Sequence, residues 1–525
     1  MRFRGPSAPA LLAVGAAFAG VVGIVSALTP EFADRSDLVK SILPPGVPEA
    51  ARVVALAIGL ALVWFSRSLA RRKRRAWQLA VALVAVSAAA HLAKGLDVEE
   101  ASVHLLLLAA LWRYRRDFVA PGDPETIRPF VRALAALAAL GVLAVLRVSD
   151  RMPFSERIEE ALGLLALVLA ARALYLWLRP LALAARQTPP ERRHAERLVH
   201  EHGHDSLAFF SLRRDKSYFF SPSGRSFLSY RVVNGCALVT GDPIGAAGDL
   251  AELFKAFRAF AHTSGWRVAV LGACAELLPF YRASGLRAIY LGDEAVVRPG
   301  EFSLAGRPIR KVRQSVHRLE KAGYRVRFVR PDEVTPELRQ KLERVSHEWR
   351  GRWPERGFTM AMDALFAYRE GVVAVAEDAD GEVGGFIQLV PAPASGGYSL
   401  ATMRRAKETP NGLMEYLVVE TIAWAGRNGA SELSLNFAVF GELLRADTLP
   451  LGQRALRFGL LRLDRVFQLE RLMCFNRKFF PSWRPRYICV ERVLDFPVVG
   501  LAYLHAESLL TPPGPWVRSR DLTAA

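Results

Sequence analysis

Apolar residues fill the first third of the chain in long unbroken runs, whereas from about residue 206 onward they alternate or recur at helical spacing. The run "PALLAVGAAFAGVVGIVSAL" (9–28) is long enough to cross a hydrocarbon layer of about 30 Å as a helix. Five more begin at Ala50, Trp77, Ala101, Phe130 and Ala161, the one from Ala101 being the shortest. Such repetition predicts about six transmembrane helices rather than a cleaved leader. The segments between the runs alternate in charge. "RSLARRKRRAW" (67–77) and "WRYRRDF" (112–118) are basic, while the loops with Glu31, Asp34 and Asp37 and with Asp97, Glu99 and Glu100 are poorer in cations. The positive-inside rule then puts both termini in the cytoplasm. Few ionisable groups fall within the runs: His91, His104, Arg132 and Arg172 are read as lying near the ends or snorkelling. A transport path needs such groups at mid-depth, so the pattern speaks against a transporter.

Past Arg179 the pattern changes. "RPLALAARQTPPERRHAERLVHEHGHD" (179–205) reads as a basic amphipathic linker broken at Pro189-Pro190. His200 and His204 stand one helical turn apart, yet no carboxylate or thiol cluster completes a metal set, so no metal is expected. From Ser206 on, the chain reads as α/β. A strand "GCALVTGDPIG" (235–245) leads to a helix closed by Gly265 and a strand from Trp266; later, strands at 371–393 and 396–405 lead through "ETPNG" to a helix closed by Gly429 and a strand "ASELSLNFAVF" (430–440). Two units with one plan suggest a duplication, and the order of strand, tight turn, helix start and strand is also that of N-acetyltransferase-type folds, whose free helix-start amides bind an acyl donor. The resulting division is a transmembrane helical domain at 1–180, a linker at 181–205, a first unit at 206–300, a basic connecting helix and strand at 301–330, a second unit at 331–510 and a tail at 511–525.

Composition adds a partner class. The 525 residues carry 70 Lys+Arg against 51 Asp+Glu, a formal charge of +19, which favours anionic partners such as lipid headgroups or nucleic acid. The densest cations fall in the connecting segment "RPIRKVRQSVHRLEKAGYRVR" (307–327). There Ile309, Val312, Val316 and Leu319 form an apolar stripe, and Arg310, Lys311, Arg313, His317, Arg318 and Lys321 occupy the other faces. Four scattered cysteines form no CxxC pair and read as buried thiols in a reducing compartment.

Five stretches, "ALVTGDPIG", "YLGDEAVV", "EFSLAGRPIRKVRQSVHRLEKAGYRV", "PNGLMEYLVVETIAWAGRNGASELSLNFAVF" and "LERLMCFNRKFFPSWRPRYICVE", resemble the synthase domain of phosphatidylglycerol lysyltransferases, over roughly residues 192–507. The likeness is nearest to the actinobacterial form, without its fused lysyl-tRNA synthetase domain. The resemblance implies a tandem GNAT-like acyltransferase fold behind the membrane helices. It implies transfer of an amino acid, lysine by the family's name, from aminoacyl-tRNA to a glycerol hydroxyl of phosphatidylglycerol, which lowers surface negative charge and gives resistance to cationic antimicrobial peptides. One ester replaces another, so no cofactor is expected beyond aminoacyl-tRNA as co-substrate. Expected partners are phosphatidylglycerol, lysyl-tRNA and membrane lipid, with a homo-oligomer left open. The expected location is the inner (plasma) membrane, multi-pass, with the catalytic domain cytoplasmic.

Such a reaction needs a proton acceptor, oxyanion donors and cations for two phosphodiesters. Glu415, in a first helical turn, is a candidate base, although a carboxylate there also complements the helix dipole. Asn411 and Gly412 form a turn expected to free the amides of Leu413 and Met414. Asn436, polar within an apolar strand, and Lys478 are the other catalytic candidates. Arg310, Arg313, Arg318, Lys321, Arg404, Asn476 and Arg486 are candidates for phosphate, ribose or headgroup, and Asp242 and Glu294 for an ammonium group or a turn cap. The rival readings are an acyl-CoA-dependent N-acyltransferase, disfavoured because no Q/RxxGxG/A loop precedes Leu413, and a non-enzymatic lipid transporter or scaffold.

Overall fold

The computed structural model describes residues 8–29, 47–95, 98–148, 156–179, 181, 185–439 and 469–511. They divide into two compact units, Met1–Ala182 with Ala259–Trp266, and Leu183–Arg258 with Arg267–Ala525.

In the first unit each apolar run becomes a helix: Ala8–Leu28, Val47–Ala70, Arg74–Gly95, Val98–Arg113, Ile127–Val148 and Glu156–Leu178. By length and composition, the windows Ala8–Leu28, Pro124–Leu143 and Glu160–Leu178 suffice to cross a membrane. The 16 residues of Val98–Arg113 rise only about 24 Å. Helices Ala8–Leu28 and Val47–Ala70 meet backbone to backbone. A Cβ on Gly20 would stand 2.6 Å from the Gly59 carbonyl oxygen, and one on Gly59 would stand 2.7 Å from that of Gly20. Small residues permit such an approach where no hydrophobic effect drives association. His91 and His104 do not snorkel. Both are fully buried, their ring centroids 5.0 Å apart, with His104 Nδ1 2.8 Å from the Glu100 carbonyl oxygen. Packing against each other keeps the two polar rings inside the helical unit.

The second unit is built on twelve strands: β1 (Ser217–Phe220), β2 (Ser226–Val233), β3 (Cys236–Thr240), β4 (Ile244–Gly245), β5 (Arg267–Cys274), β6 (Arg287–Val297), β7 (Arg325–Val329), β8 (Val372–Glu377), β9 (Val383–Ala392), β10 (Gly397–Arg405), β11 (Leu433–Val439) and β12 (Ser482–Val490). They form one sheet in the order β1-β2-β3-β5-β12-β6-β11-β10-β9-β8-β7, with β4 on β2. The repeated plan is visible in the pairing. In each half a helix, Leu250–Thr263 or Leu413–Arg427, carries the chain over to a parallel strand, giving the pairs β3/β5 and β10/β11. Each half then gives its last strand to the other: β6 pairs antiparallel with β11, and β12 with β5. Because β6 and β12 also pair with each other, backbone hydrogen bonds run unbroken across the whole sheet.

This exchange corrects the division read from sequence. The helix Arg310–Lys321 and strand β7 are not a connector but the opening elements of the second half. Ile309, Val312, Val316 and Leu319 bury their stripe in the same core as Leu413, Tyr416 and Leu417, and β7 pairs with β8. In the other direction the helix Phe496–Ala506, read as part of the second unit, packs Val499, Ala502 and Tyr503 against Cys236, Leu238 and Leu271 of the first half. Much of the linker is likewise structured. Pro189–His202 is a helix with Thr188 and Glu191 forming a capping box, and Ala195, Leu198 and Val199 are buried. His200 pairs with Glu370 at 2.8 Å. Most of the predicted tail lies outside the described residues.

Candidate active site

Strands β10 and β11 pair in parallel only through Tyr398 with Leu433 and Ser399 with Ser434. Past that point each is irregular, β10 between Leu400 and Thr402 and β11 between Ser434 and Phe437, and the two separate. Asn436 stands in the resulting wedge at φ +77°, a conformation in which asparagine is tolerated better than branched residues. Its Nδ2 donates to the carbonyl oxygens of Met360 at 3.1 Å and Leu400 at 3.4 Å. Buried Asn476 donates from Nδ2 to the Leu435 carbonyl at 3.3 Å. These bonds explain two amides among apolar neighbours. Strands that part company leave carbonyls without ladder partners, and both side chains satisfy them. The Asn436 side-chain amide nitrogen is thereby committed to the backbone.

The helix that follows β10 starts beside this wedge. Gly412 holds φ +97°, and a Cβ there would come within 2.6 Å of Ser315 on the helix Arg310–Lys321, so the turn needs glycine on both counts. Arg318 Nη1 donates to the Asn411 carbonyl at 2.9 Å, tying the basic helix to the same turn. The Leu413 amide, expected to be free, donates to the Pro410 carbonyl at 3.3 Å. Within the first turn, Glu415 Oε1 accepts from Lys478 Nζ at 2.6 Å, the carboxylate mostly covered and the ammonium 44% exposed. Thus Asn411, Gly412, Glu415, Lys478 and Arg318, spread over more than 150 positions, share one neighbourhood.

A second group lies in the middle of the sheet. Arg486, 2% exposed, donates from Nε to Glu294 Oε2 at 2.9 Å, from Nη1 to Asp205 at 2.6 Å and from Nη2 to Ser206 at 2.9 Å, with a further bond from Nη2 to Glu294. Fully buried Glu294 accepts from Ser206 and Ser434 on its other oxygen, at 2.5 Å each. Burial works to raise the Glu294 pKa, but the Arg486 charge and the two serines outweigh it and hold the carboxyl below its ordinary value. Glu294 and Arg486 therefore satisfy each other instead of facing a substrate. Ser434 joins the two groups, since the Asn436 amide reaches its Oγ at 3.4 Å.

Asp242 marks the first half's counterpart of the wedge. Where β3 and β5 stop pairing, its carboxylate accepts from the Cys274 amide at 3.0 Å and from the Tyr281 hydroxyl at 2.7 Å. Burial, then the charge of Asp205, push its pKa up to about 6 against those bonds and Arg486.

Two cations proposed for phosphate are otherwise engaged. Arg404 is 5% exposed and bonded to Ser346 and Glu355; its strand position turns it into the core rather than toward solvent. Arg313 donates to the carbonyls of Leu304 and Gly306 and clamps the loop before its helix. Arg310 and Lys321 remain exposed on that helix.

Sequence reasoning passed over the segment that covers the wedge. Glu507 accepts the amides of Phe358 at 2.6 Å and Thr359 at 3.1 Å, and Arg213 donates to the carbonyls of Gly357 and Ala361. Between these anchors the Met360 carbonyl meets Asn436. Nearby, the fully buried Lys216 donates to the Phe210 carbonyl at 2.8 Å. No motif flags Arg213, Lys216 or Glu507; burial alone does.

Residues 196–490, which contain both groups and the wedge, match the family model described as phosphatidylglycerol lysyltransferase, C-terminal. The chain belongs to this family. The phosphatidylglycerol lysyltransferase region is 39% identical over 316 residues to the lysylphosphatidylglycerol biosynthesis bifunctional protein LysX of Rhodococcus opacus, covering 59% of this chain and 28% of that one. It is 39% identical over 327 residues to LysX of a Mycobacterium species, covering 59% and 29%. The chain thus spans less than a third of the length of these relatives. L-PGS from Bacillus licheniformis superimposes with a TM-score of 0.56 at 24% identity, covering 63% of this chain and 99% of that one. The shared architecture is the GNAT-like fold expected from the motifs.

Proposed function

We propose that this chain is a membrane-anchored aminoacyltransferase that moves an amino acid, lysine by the family's name, from aminoacyl-tRNA to a glycerol hydroxyl of phosphatidylglycerol. The single observation that carries the reading is the family match over residues 196–490, because it coincides with the half of the chain that bears the wedge, the glycine-led helix start and the Glu415–Lys478 pair. In the proposed step the glycerol oxygen attacks the ester carbonyl, a new ester bond forms, and the ribose oxygen leaves with a proton. Glu415 is the proposed acceptor of the glycerol proton. Lys478, whose ammonium meets that carboxylate at 2.6 Å, is the proposed source of positive charge where the oxyanion develops. The exposed cations Arg310 and Lys321 supply attraction to phosphodiesters. About six spans with both ends cytoplasmic would keep this half on the side where aminoacyl-tRNA is found, and the lipid product would lower surface negative charge and so blunt cationic antimicrobial peptides.

Purified full-length protein in phosphatidylglycerol micelles, given lysyl-tRNA, should yield lysylphosphatidylglycerol by mass spectrometry, and ribonuclease pretreatment should abolish it. Product that survives ribonuclease, or that requires acyl-CoA, would overturn the reading.

A further inference from the structure

The helix Pro336–Arg350 stops at Gly351, which holds φ +59°, and the chain runs on through residues 352–356 to the segment that covers the wedge. Two tryptophans flank the stop. Trp349 is 54% and Trp353 42% exposed, and among the described residues of the second unit these are the exposed tryptophans. Two large rings left in water four positions apart, with charged neighbours, mark a surface that meets a partner.

The cations beside them are only partly engaged within the protein. Glu355 is held by Arg350 at 3.2 Å and by Arg404. Arg352 is exposed and has no ion-pair partner among the described residues. Arg356 is the sharper case. Its Nε is buried, yet among the described residues the guanidinium makes no hydrogen bond and no ion pair. Burial lowers its pKa, with no carboxylate charge acting against the shift. What it does meet is the Trp353 ring, Cζ standing 4.7 Å from the centroid. A partly buried cation without an anion is costly, and an arriving anion relieves that cost.

This cation is tied to the wedge through a short, clamped stretch of chain. Directly after Arg356, Gly357 turns the backbone at φ +104°, and a Cβ there would stand 2.5 Å from that of Ala361. Glu507 and Arg213 hold residues 357–361, and within them the Met360 carbonyl accepts from Asn436 Nδ2 at 3.1 Å. Four peptide steps separate Arg356 from Met360, at most about 14 Å. Aromatic faces interleaved with arginines suit an unpaired nucleic-acid strand, whose bases stack on rings and whose phosphates take guanidinium forks. A bilayer suits them less. Residues 347–356 contain no leucine, isoleucine, valine or phenylalanine to bury, and Glu348, Arg350 and Arg352 directly adjoin the two rings.

We propose that Trp349, Trp353 and Arg356 form the platform on which the unpaired 3′ end of the aminoacyl donor lies as it enters the wedge, the rings stacking bases and Arg356 holding a phosphate. The inference rests on the aminoacyl-transfer reading above and names what that reading leaves open, the residues that guide the donor's reacting end.

Two fluorescent RNA hairpins, one with a short unpaired 3′ extension and one blunt, are titrated with the full-length protein in neutral detergent and followed by anisotropy. The extended hairpin should bind roughly tenfold more tightly or better. Trp349→Ala with Trp353→Ala should raise its Kd by about tenfold or more and leave that of the blunt hairpin nearly unchanged, whereas Trp353→Phe, which keeps a ring, should retain most of the affinity. Arg356→Gln should flatten the log–log salt dependence by about 0.7 of a unit without lowering the melting temperature, because no partner is lost in the free protein. Should the double tryptophan variant lose its thermal transition, Trp353→Ala alone, expected to cost about fivefold, takes its place. Equal affinity of the parent for the two hairpins, parent-like binding by folded variants, or an Arg356→Gln variant that melts earlier with an unchanged salt slope each overturns the proposal. So does a raised KM for phosphatidylglycerol with RNA binding intact, which would give the segment to lipid. Formation of lysyl lipid from lysyl-tRNA is followed in parallel. Product with parent-like KM for lysyl-tRNA in the double variant sinks the platform and leaves aminoacyl transfer standing. Selective binding that the variants lose, with no lipid product from the unmodified protein, sinks aminoacyl transfer and supports the platform.

Discussion

Arg486 and Glu294, 192 positions apart in sequence, meet in the interior of the sheet with almost no solvent contact. Arg486 comes from β12 and Glu294 from β6, the two strands that the halves exchange. The pair therefore forms only when the exchange has taken place, which makes it a register device for the whole sheet. Arg486→Met should cost about 3–5 kcal/mol by stranding a buried carboxylate, whereas changing both residues to Met should cost less than the single change. Denaturant unfolding of the full chain in detergent checks the ordering. Because Glu294 titrates below its ordinary value when folded, its contribution is present above the unfolded carboxylate pKa of about 4.3 and is lost as pH falls through the lower folded value.

Asp242 behaves in the opposite sense. With a folded pKa near 6, above the ordinary 3.8, the folded protein holds this proton more tightly than the unfolded chain, so stability falls as pH rises between those two values. Asp242→Asn keeps the acceptor for the Cys274 amide and removes the charge. Comparing melting temperatures at pH 5 and 7.5 should show a smaller difference for the variant, with its advantage over the parent greater at pH 7.5.

Glu415→Gln preserves size and hydrogen-bonding capacity but removes the proposed base. A fall in kcat for lipid aminoacylation of about 10² or more, with KM for lysyl-tRNA changed little, is expected. Normal turnover with slightly lowered thermal stability would reduce Glu415 to a partner of Lys478 and the helix dipole.

Arg310 and Lys321 are exposed, whereas Arg313 clamps its own loop. Arg310→Gln with Lys321→Gln should therefore raise KM for tRNA and flatten its log–log salt dependence by roughly one unit per lost contact. Arg313→Gln should instead lower the melting temperature and leave the salt slope nearly unchanged.

Gly59→Ala places a methyl 2.7 Å from the Gly20 carbonyl oxygen, closer than a Cβ contact allows. Backbone cannot yield as a side chain tip can, so a loss of about 1–3 kcal/mol is expected. Thermal stability in detergent should drop, and Gly163→Ala, where nothing lies within 4 Å of the added Cβ, should leave it unchanged.

Local features were legible along the chain before any packing was known. Runs of apolar residues became helices because length and composition act within a segment, and the stripe from Ile309 to Leu319 became a buried helix face because periodicity is a property of neighbours. Gly412 was legible as a turn, and Glu415 as a first-turn carboxylate, for the same reason. The motifs in their order were also enough to suggest the family. Partnership was left to tertiary packing. Nothing near Arg404 announces Ser346 and Glu355, nothing near Arg486 announces Glu294, and Lys216 shows its character only through burial. A cation's role depends on which carboxylate or carbonyl faces it, and strand exchange sets that facing across more than a hundred residues.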